Sequence, residues 1–215
     1  MRTGRPFRKL LGLIALLAPV LPVSAEEAAP RYVRPSVEEL AVQPPKPTER
    51  ESDTRESICL MIESAAREAN LPLEFFARVI WQESRFRSDA VGPVTRSGQR
   101  AQGIAQFMPG TASERGLLDP FNPVQALPKS AEFLAELREQ FGNLGLAAAA
   151  YNAGPRRVQD WLAGTGGMPS ETRNYVYAIT GSSVEDWAKA GKGGKQPERI
   201  PTSSCRDLMA LLKQA

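Results

Sequence analysis

Apolar side chains recur every three to four residues over most of the chain beyond residue 54, and no run alternates apolar and polar positions as a β-strand does. The spacing predicts a first helix from about Thr54 to Asn70 and a second helix with Pro72 in its first turn. Further helices are predicted to open at Asn122-Pro123 and at Pro128 before a stop at Gly142, and to cover residues 144–151, 155–162, 170–180 and 203–213. The pattern therefore predicts a mainly α fold of about seven helices with little or no sheet.

Turn and cap residues separate these helices. Ser170 is placed as the N-cap of the helix that follows it and Gly181 as the C-terminal stop of the same helix. The segment 144–151 is rich in alanine, so it is small enough to be packed on all sides. Turn residues fill the stretch 88–102, which predicts a long loop there, and glycine and lysine dominate residues 189–195 before the last predicted helix.

The first 25 residues have the layout of a secretory signal peptide. Basic residues and no acids precede Leu10, an apolar run extends to Val23, and Val23-Ser24-Ala25 supplies small residues at the −3 and −1 positions before Glu26. The alternative is a membrane anchor, but an apolar run of 14 residues with two prolines is short for the roughly 20 residues that span a bilayer. We expect cleavage near Ala25 and an exported chain, periplasmic or secreted, without stable membrane insertion.

Proline content then divides the mature chain. Residues 26–53 contain five prolines and few large apolar side chains, so they are predicted to form an extended, disordered linker. A compact domain is expected over residues 54–181, followed by a C-terminal extension over 182–215.

Composition excludes several kinds of catalysis. The 215 residues include no histidine, which removes Ser-His-Asp and Cys-His nucleophile systems and the usual zinc sites. Four of the 27 basic residues lie in the acid-free signal segment, so the formal charge of +3 becomes 23 − 24 = −1 after cleavage. A chain with so little net charge gives no support for a nucleic-acid partner, and we expect neither a metal nor a cofactor.

The two cysteines lie in the first and last predicted helices. In an oxidising compartment Cys59 and Cys205 have only each other as partners. We expect a Cys59–Cys205 disulfide that ties the C-terminal extension back to the domain; two buried free thiols are the alternative.

Glu83 is the first residue whose position indicates chemistry. It follows Phe76 by seven residues and Val79 by four, so it continues the apolar stripe of the second helix. Burial and the negative end of the helix dipole both disfavour a carboxylate and raise its pKa, as a general acid that protonates a glycosidic oxygen requires. The alternative is a surface glutamate paired with Arg87, four residues further on.

Three later motifs contain amide and phenol side chains, which suit the hydroxyl and N-acetyl groups of amino sugars because they form hydrogen bonds without a fixed charge. The motifs are Gly103-Ile104-Ala105-Gln106, Ala150-Tyr151-Asn152-Ala153-Gly154, and Glu171-Thr172-Arg173 with Tyr175. Together with Glu83-Ser84, and in this order over about residues 57–181, they resemble the catalytic domain of the soluble lytic transglycosylases, a lysozyme-like fold that cleaves peptidoglycan.

The resemblance implies that Glu83 is the sole acid and base. It would protonate the oxygen between N-acetylmuramic acid and N-acetylglucosamine and then deprotonate the muramyl 6-hydroxyl, which attacks C1 to give a 1,6-anhydro product. The resemblance also implies a set of substrate-binding positions. Ser84 would set the local geometry, and Gln106 and Met108 would line the sugar groove. Tyr151 and Asn152 would lie near Glu83, with Asn152 at the N-acetyl group, and Glu171 and Tyr175 would contact substrate or orient Glu83.

The chain departs from the family pattern in the loop before Gln106. Ile104-Ala105 replaces the usual Leu-Met, and the loop is a few residues longer than usual around 94–99. Gly92 stands where a serine is common before the proline of the loop, which makes Ser97 the candidate for the contact of that serine. We therefore expect an altered loop at the edge of the cleft.

The acids near the motifs leave the reaction type open. An inverting hydrolase needs a second carboxylate to activate water, and a retaining one needs a carboxylate nucleophile. Asp89, Asp119 and Glu171 are available, but no spacing forces any of them opposite Glu83. A substrate that supplies its own nucleophile needs neither, so a lyase is favoured. The alternatives are a hydrolase of muramidase or chitinase type on the same fold, and a non-catalytic glycan-binding or envelope-assembly module.

The resemblance also implies a partner, the glycan strands of peptidoglycan. A cell-envelope secretion or assembly complex is a further candidate partner, because wall turnover and local wall opening need the same chemistry. We expect a monomer that binds no nucleic acid.

Overall fold

A computed structural model describes residues 47–191 and 205–212. The predicted signal peptide, residues 26–46 of the predicted linker and residues 192–204 and 213–215 lie outside the described residues. Nine helices are present in the described part of the chain: α1 (Pro47–Glu68), α2 (Leu73–Ser84), α3 (Pro109–Glu114), α4 (Pro123–Phe141), α5 (Leu144–Ala153), α6 (Pro155–Leu162), α7 (Ser170–Thr180), α8 (Val184–Ala190) and α9 (Cys205–Leu212).

The predicted mainly α fold class is confirmed. Over the described residues β-pairing is limited to isolated bridges between Val91 and Gln102 and between Gln102 and Phe107. None of the described helices combines the length and the apolar character that a membrane crossing requires.

Helix α5 lies at the centre of the core. Residues 144–150 are all buried, because alanine and glycine let neighbouring helices approach closely, and α4, α6, α7 and α8 pack around them. A Cβ on Gly145 would lie 2.0 Å from the indole of Trp187 in α8, so only glycine fits at this contact. The prediction that this segment is packed on all sides is confirmed.

Helix α2, which carries Glu83, is fixed by its apolar face. Phe75, Phe76, Val79 and Ile80 are fully buried, and the helix packs against α1, α7 and α9. Pro72 was predicted to lie in the first turn of this helix, but it is the N-cap residue. Its extended backbone (φ −59°, ψ 127°) lies outside the helical region. The packing directs the C-terminal end of α2 toward α7.

A disulfide joins α1 to α9. The Cα atoms of Cys59 and Cys205 are 5.4 Å apart across a sequence separation of 146 residues, and both cysteines are buried. The backbone N–H of Cys205 also donates to the carboxylate of Glu63 across 3.1 Å. The last described helix is therefore tied back against α1 and α2.

Two helices, α3 and α8, were not predicted. Six residues are too few to show a helical period, which explains α3. Helix α8 adjoins the Gly/Lys-rich stretch, but Ser183 caps it by accepting a hydrogen bond from the Asp186 N–H across 3.1 Å. Val184 and Trp187 belong to the hydrophobic core, so the packing continues past residue 181, the predicted end of the compact domain.

Two predictions that relied on proline were wrong. Helix α1 begins at Pro47, so residues 47–53 of the predicted linker are helical. Proline is tolerated at the first helical position, and the charged residues that follow are good helix formers. Pro128 lies inside the continuous helix α4 instead of opening a second helix. The buried stripe that includes Leu127 and Leu134 stabilises α4 enough to offset the hydrogen bond that proline removes.

The ends of the last helices differ slightly from the prediction. Pro169 is the N-cap of α7 and Ser170 is its first helical residue, because Pro169 has the extended backbone of a cap (ψ 145°) and no side chain caps the helix. Gly181 ends α7 in the left-handed conformation (φ 70°), as predicted. Helix α9 is described from Cys205 to Leu212, so its predicted ends at 203 and 213 lie outside the described residues.

Candidate active site

Glu83 is the last residue but one of α2, and its side chain is half-buried. Tyr175 of α7, 9% exposed, donates its phenolic O–H to Glu83 Oε1 across 2.5 Å. Arg87, the alternative partner of Glu83, instead pairs with Asp89, with Nε 3.7 Å from Oδ1. Glu83 is therefore held against α7 and not paired on the surface of its own helix.

The pKa of Glu83 is raised from 4.5 to about 7. Burial is the largest cause, because it removes the water that stabilises a carboxylate. The hydrogen bond from Tyr175 opposes the rise in pKa, and the charge of Glu171 adds to it. A carboxyl group with this pKa is substantially protonated at neutral pH, so it can donate a proton to a bound oxygen atom.

Two tyrosines next to Glu83 act as fixed hydrogen-bond donors. Burial, followed by the charge of Glu83, raises the pKa of both Tyr151 and Tyr175 well above the usual range. The phenol of Tyr151 donates to the carbonyl of Ala105 across 2.8 Å, and that of Tyr175 donates to Glu83. Both phenols therefore keep their protons at any pH where the protein is expected to work.

Gln106 fastens the loop between α2 and α3. Its Nε2 donates to the carbonyls of Ala90 (3.1 Å) and Gly103 (2.8 Å), and its backbone is left-handed, with φ 49°. Gly103 has to be glycine, because a Cβ would lie 1.7 Å from the carbonyl oxygen of Pro120. The motif therefore shapes the loop, and Oε1 is the atom of the Gln106 amide that remains for a ligand.

The long loop is ordered by its own hydrogen bonds. The Thr95 N–H donates to the Gln99 carbonyl (2.8 Å), which closes a turn. Ser97 is exposed, and its hydroxyl lies 3.0 Å from that of Thr95. Ser97 is thus engaged within the turn, and its expected contact in the cleft gains no support. A Cβ on Gly92 would lie 3.0 Å from Gln106 Oε1, so a serine there would crowd the Gln106 amide.

Ser84 and Met108 differ in accessibility. Ser84 is buried, and its hydroxyl donates to the Ile80 carbonyl across 3.3 Å. Met108 is the half-buried N-cap residue of α3. Ser84 therefore stabilises the end of α2, whereas Met108 has surface that a ligand can contact.

The chain leaves α2 in a tight turn directly after Glu83 and Ser84. Arg85 (φ 57°) and Phe86 (φ 64°) are both left-handed, a conformation that costs roughly 1–2 kcal/mol per residue. The Arg85 guanidinium lies 4.7 Å from the ring centroid of Trp81, and the rings of Trp81 and Phe86 are 5.3 Å apart. This aromatic cluster holds the turn and so fixes the position of Glu83.

Asn152, near the end of α5, contacts a residue that the sequence analysis did not single out. Its Oδ1 accepts a hydrogen bond from the Thr172 hydroxyl across 2.8 Å, and Thr172 is 2% exposed. Thr172 stands inside the Glu171-Thr172-Arg173 motif. Its spacing of three residues from Tyr175 places both on one face of α7, and that spacing is the signal in the sequence that marks it.

The structure thus brings most of the predicted site residues together from three helices. Tyr151 and Asn152 come from α5, Glu171 and Tyr175 from α7, and Glu83 from α2. Glu171 is exposed in the first turn of α7, and its charge acts on Glu83. Over residues 47–191 and 205–212, no three or more Asp, Glu, Cys or His side chains are grouped closely enough to bind a metal ion.

A model of the Transglycosylase SLT domain family matches residues 60–174, more than half of the chain. The chain is 30% identical over 122 residues to a transglycosylase of Enterobacteria phage PRD1. The aligned region covers 57% of this chain and 44% of the phage protein. It is 34% identical over 131 residues to the soluble lytic murein transglycosylase of Escherichia coli (strain K12), an alignment that covers 49% of this chain and 19% of the Escherichia coli protein. The chain spans less than half the length of these relatives.

A solved structure shows the same fold. The 70 kDa soluble lytic transglycosylase of Escherichia coli matches with a TM-score of 0.50 and 24% identity, over 65% of this chain and 26% of that one. At this identity the likeness concerns the fold alone. The predicted lysozyme-like transglycosylase fold is confirmed.

Proposed function

Because the chain belongs to the Transglycosylase SLT domain family, we propose that it is a peptidoglycan lytic transglycosylase. It cleaves the β-1,4 bond between N-acetylmuramic acid and N-acetylglucosamine without water and leaves a 1,6-anhydro end. The observation that carries the proposal is one half-buried glutamate, Glu83, held by the Tyr175 phenol and with a pKa of about 7. The family supplies the substrate class, and this carboxyl group supplies the chemistry.

The first step is proton donation. Protonated Glu83 gives its proton to the glycosidic oxygen, the bond from C1 to that oxygen breaks, and the electron pair leaves with the N-acetylglucosamine hydroxyl. A pKa near 7 suits this step, because the acid keeps its proton at neutral pH and still releases it readily. The hydrogen bond from Tyr175 orients the carboxyl and stabilises the carboxylate that forms.

The second step is proton abstraction. The Glu83 carboxylate takes the proton of the muramyl 6-hydroxyl, whose oxygen forms the new bond to C1, and Glu83 is protonated again. The nucleophile belongs to the same sugar, so the reaction needs no positioned water, and intramolecular attack has a large entropic advantage. One carboxyl group therefore serves as acid and then as base.

The remaining predicted residues are proposed to bind the glycan. Gln106 through Oε1, Met108, the ring of Tyr151, and Glu171 line the sugar groove, and Asn152 binds the N-acetyl group. The enclosed hydroxyl of Ser84 supports a structural role at the end of α2.

A hydrolase of muramidase type is a second candidate, and one observation favours it. The charge of Glu171 acts on Glu83, so a second carboxylate lies near the acid. Asp89 and Asp119 have local roles, since Asp89 pairs with Arg87, and Asp119 accepts a hydrogen bond from the Phe121 N–H at 3.0 Å. Glu171 is therefore the carboxylate available to activate water in an inverting reaction.

Incubation of the full chain with purified peptidoglycan sacculi tests the proposed activity. We expect the turbidity of the suspension to fall and soluble muropeptides to appear, because the glycan strands are cut. A glycan-binding or envelope-assembly module would sediment with the sacculi and release nothing, and that result would refute the proposal.

We also propose that the chain acts in the periplasm, where peptidoglycan lies, after removal of a signal peptide near Ala25. The disulfide between Cys59 and Cys205 supports an oxidising compartment. N-terminal sequencing of the exported protein tests this proposal, and we expect Glu26 to be its first residue.

Tyr175→Phe is expected to shift the pH dependence of cleavage upward. The phenol lowers the pKa of Glu83, so without it the acid stays protonated to a higher pH, and the alkaline limb of the kcat/KM profile moves up. The maximal rate falls about tenfold, because the carboxyl group loses the bond that orients it. Tyr177→Phe, at a tyrosine 61% exposed on the same helix, is the matched control. If the alkaline limb of Tyr175→Phe stays at the wild-type pH, the assigned role of the phenol is wrong.

A further inference from the structure

The contact between Asn152 and Thr172 has a direction. Thr172 is 2% exposed, and the acceptor of its hydroxyl proton is Asn152 Oδ1, at 2.8 Å. The carbonyls one turn earlier are engaged by Arg173, through its N–H to Pro169 (3.1 Å) and its Nε to Met168 (3.4 Å). If the Asn152 amide turned over, the hydroxyl proton would face an NH₂ group, and the hydroxyl would have to rotate and share a carbonyl that Arg173 already occupies. Thr172 therefore favours the orientation in which Oδ1 of the amide faces α7.

The other side of the amide is consequently a donor. With Oδ1 engaged, Asn152 presents Nδ2 and its two protons. Asn152 is half-buried, and within the described residues its side-chain hydrogen bond is made through Oδ1. Because Nδ2 is not among the buried atoms without a partner, it is at least partly exposed. The site thus offers a hydrogen-bond donor of fixed orientation at this position.

Both ends of the contact lie next to the groups around Glu83. Tyr175, three residues after Thr172 on α7, donates to Glu83 Oε1. Tyr151, directly before Asn152 on α5, lies close enough to feel the charge of Glu83. Asn152 and Thr172 therefore neighbour, along α5 and α7, the two tyrosines that act on Glu83, and the proposed function places the N-acetyl group of the bound sugar at Asn152.

We infer that Thr172 is a positioning residue, which holds Asn152 as a hydrogen-bond donor so that the site prefers N-acetylated glycan over de-N-acetylated glycan. The inference rests on the proposed function, because it concerns the same glycan site. The carbonyl of an N-acetyl group accepts the bond from Nδ2, whereas the ammonium of a de-N-acetylated sugar has only donors and would meet N–H with N–H. The preference therefore depends on Thr172, which itself does not touch the sugar.

Affinity measured in the Glu83→Gln background tests this inference, because the ligand is then not consumed. The probes are a tetrasaccharide of alternating N-acetylglucosamine and N-acetylmuramic acid and its chemically de-N-acetylated form, titrated by calorimetry. We expect Thr172→Val, which exchanges the hydroxyl for a methyl group, to reduce the preference for the N-acetylated ligand about tenfold. Thr172→Ser, which keeps the hydroxyl, retains the preference.

Substitutions of Asn152 separate positioning from a general structural effect. Asn152→Ala removes the preference, and adding Thr172→Val to it changes the preference no further. Asn152→Asp keeps the size of the side chain but has only acceptors, so the preference reverses toward the de-N-acetylated ligand. This variant keeps the test valid if Thr172→Val fails to fold, as thermal unfolding would show.

An undiminished preference in folded Thr172→Val would overturn the inference, and so would an effect of Thr172→Val that persists with Asn152→Ala or an unchanged preference in Asn152→Asp. Wild-type protein that does not cut sacculi refutes the proposed function but leaves the ligand preference measurable. Absence of binding to both probes, with a wild-type protein that clears sacculi, overturns the inference alone.

Discussion

Glu83→Gln is expected to abolish the clearing of purified sacculi, with a fall in rate of about a thousandfold or more. Glutamine has nearly the same size and can still accept the hydrogen bond from Tyr175 at Oε1. It cannot give a proton to the glycosidic oxygen or take one from the muramyl 6-hydroxyl. Both steps are therefore lost with one substitution, which makes this the largest effect on activity that we expect.

Stability measurements distinguish this loss from misfolding. The pKa of Glu83 is about 7 in the folded protein against 4.5 as its ordinary value, so its contribution to stability is fully present below 4.5 and is lost as the pH rises to about 7. A glutamine side chain has no charge, so it avoids this loss of folding stability, which is on the order of 3 kcal/mol. At about pH 8, Glu83→Gln should therefore unfold at a temperature no lower than the wild type.

The matched control is Glu114→Gln, at an exposed glutamate of α3. It makes the same chemical change at a residue to which no role in the site is assigned, so it should clear sacculi at the wild-type rate. Wild-type clearing by Glu83→Gln would contradict the catalytic role of Glu83.

Replacement of both cysteines by serine is expected to lower the free energy of unfolding by about 5 kcal/mol. The disulfide spans 146 residues of sequence, so its loss frees the unfolded chain to adopt many more conformations. The same change releases α9 from α1 and α2, so we expect cleavage to weaken as well. Urea unfolding without reductant, compared between wild type and the double variant, measures the difference.

Reduction of the wild type is the control for this prediction. Reductant should lower the stability of the wild type to that of the double variant and leave the double variant unchanged. Equal stability of the two proteins without reductant, or two titratable thiols in the denatured and unreduced wild type, would show that the bridge does not form in solution.

The helices that sequence periodicity predicted well are those with long buried faces. Helix α5 was recognised because seven consecutive small or apolar residues leave no polar face, and the position of Glu83 followed from its spacing to Phe76 and Val79. Helices α3 and α8 have six and seven residues, too few for a period to emerge. Local patterns therefore predicted long helices and missed the two shortest ones in the described part of the chain.

The contacts of the site depend on packing that no local pattern contains. The bond from Tyr175 to Glu83 joins residues 92 positions apart, and the bond from Thr172 to Asn152 joins residues 20 apart. The family motif placed Gln106 in the sugar groove, but the two carbonyls that its Nε2 binds became visible only in the folded loop. The sequence thus identifies which residues matter more readily than what each of them does.

The masses of the muropeptides that the wild-type protein releases from sacculi test the central claim most directly. If Glu83 acts as acid and then base on one sugar, the products end in 1,6-anhydro-N-acetylmuramic acid, lighter by one water than the hydrolysis products and inert to borohydride. Products with reducing N-acetylmuramic acid ends would contradict this mechanism and would assign the activation of water to Glu171.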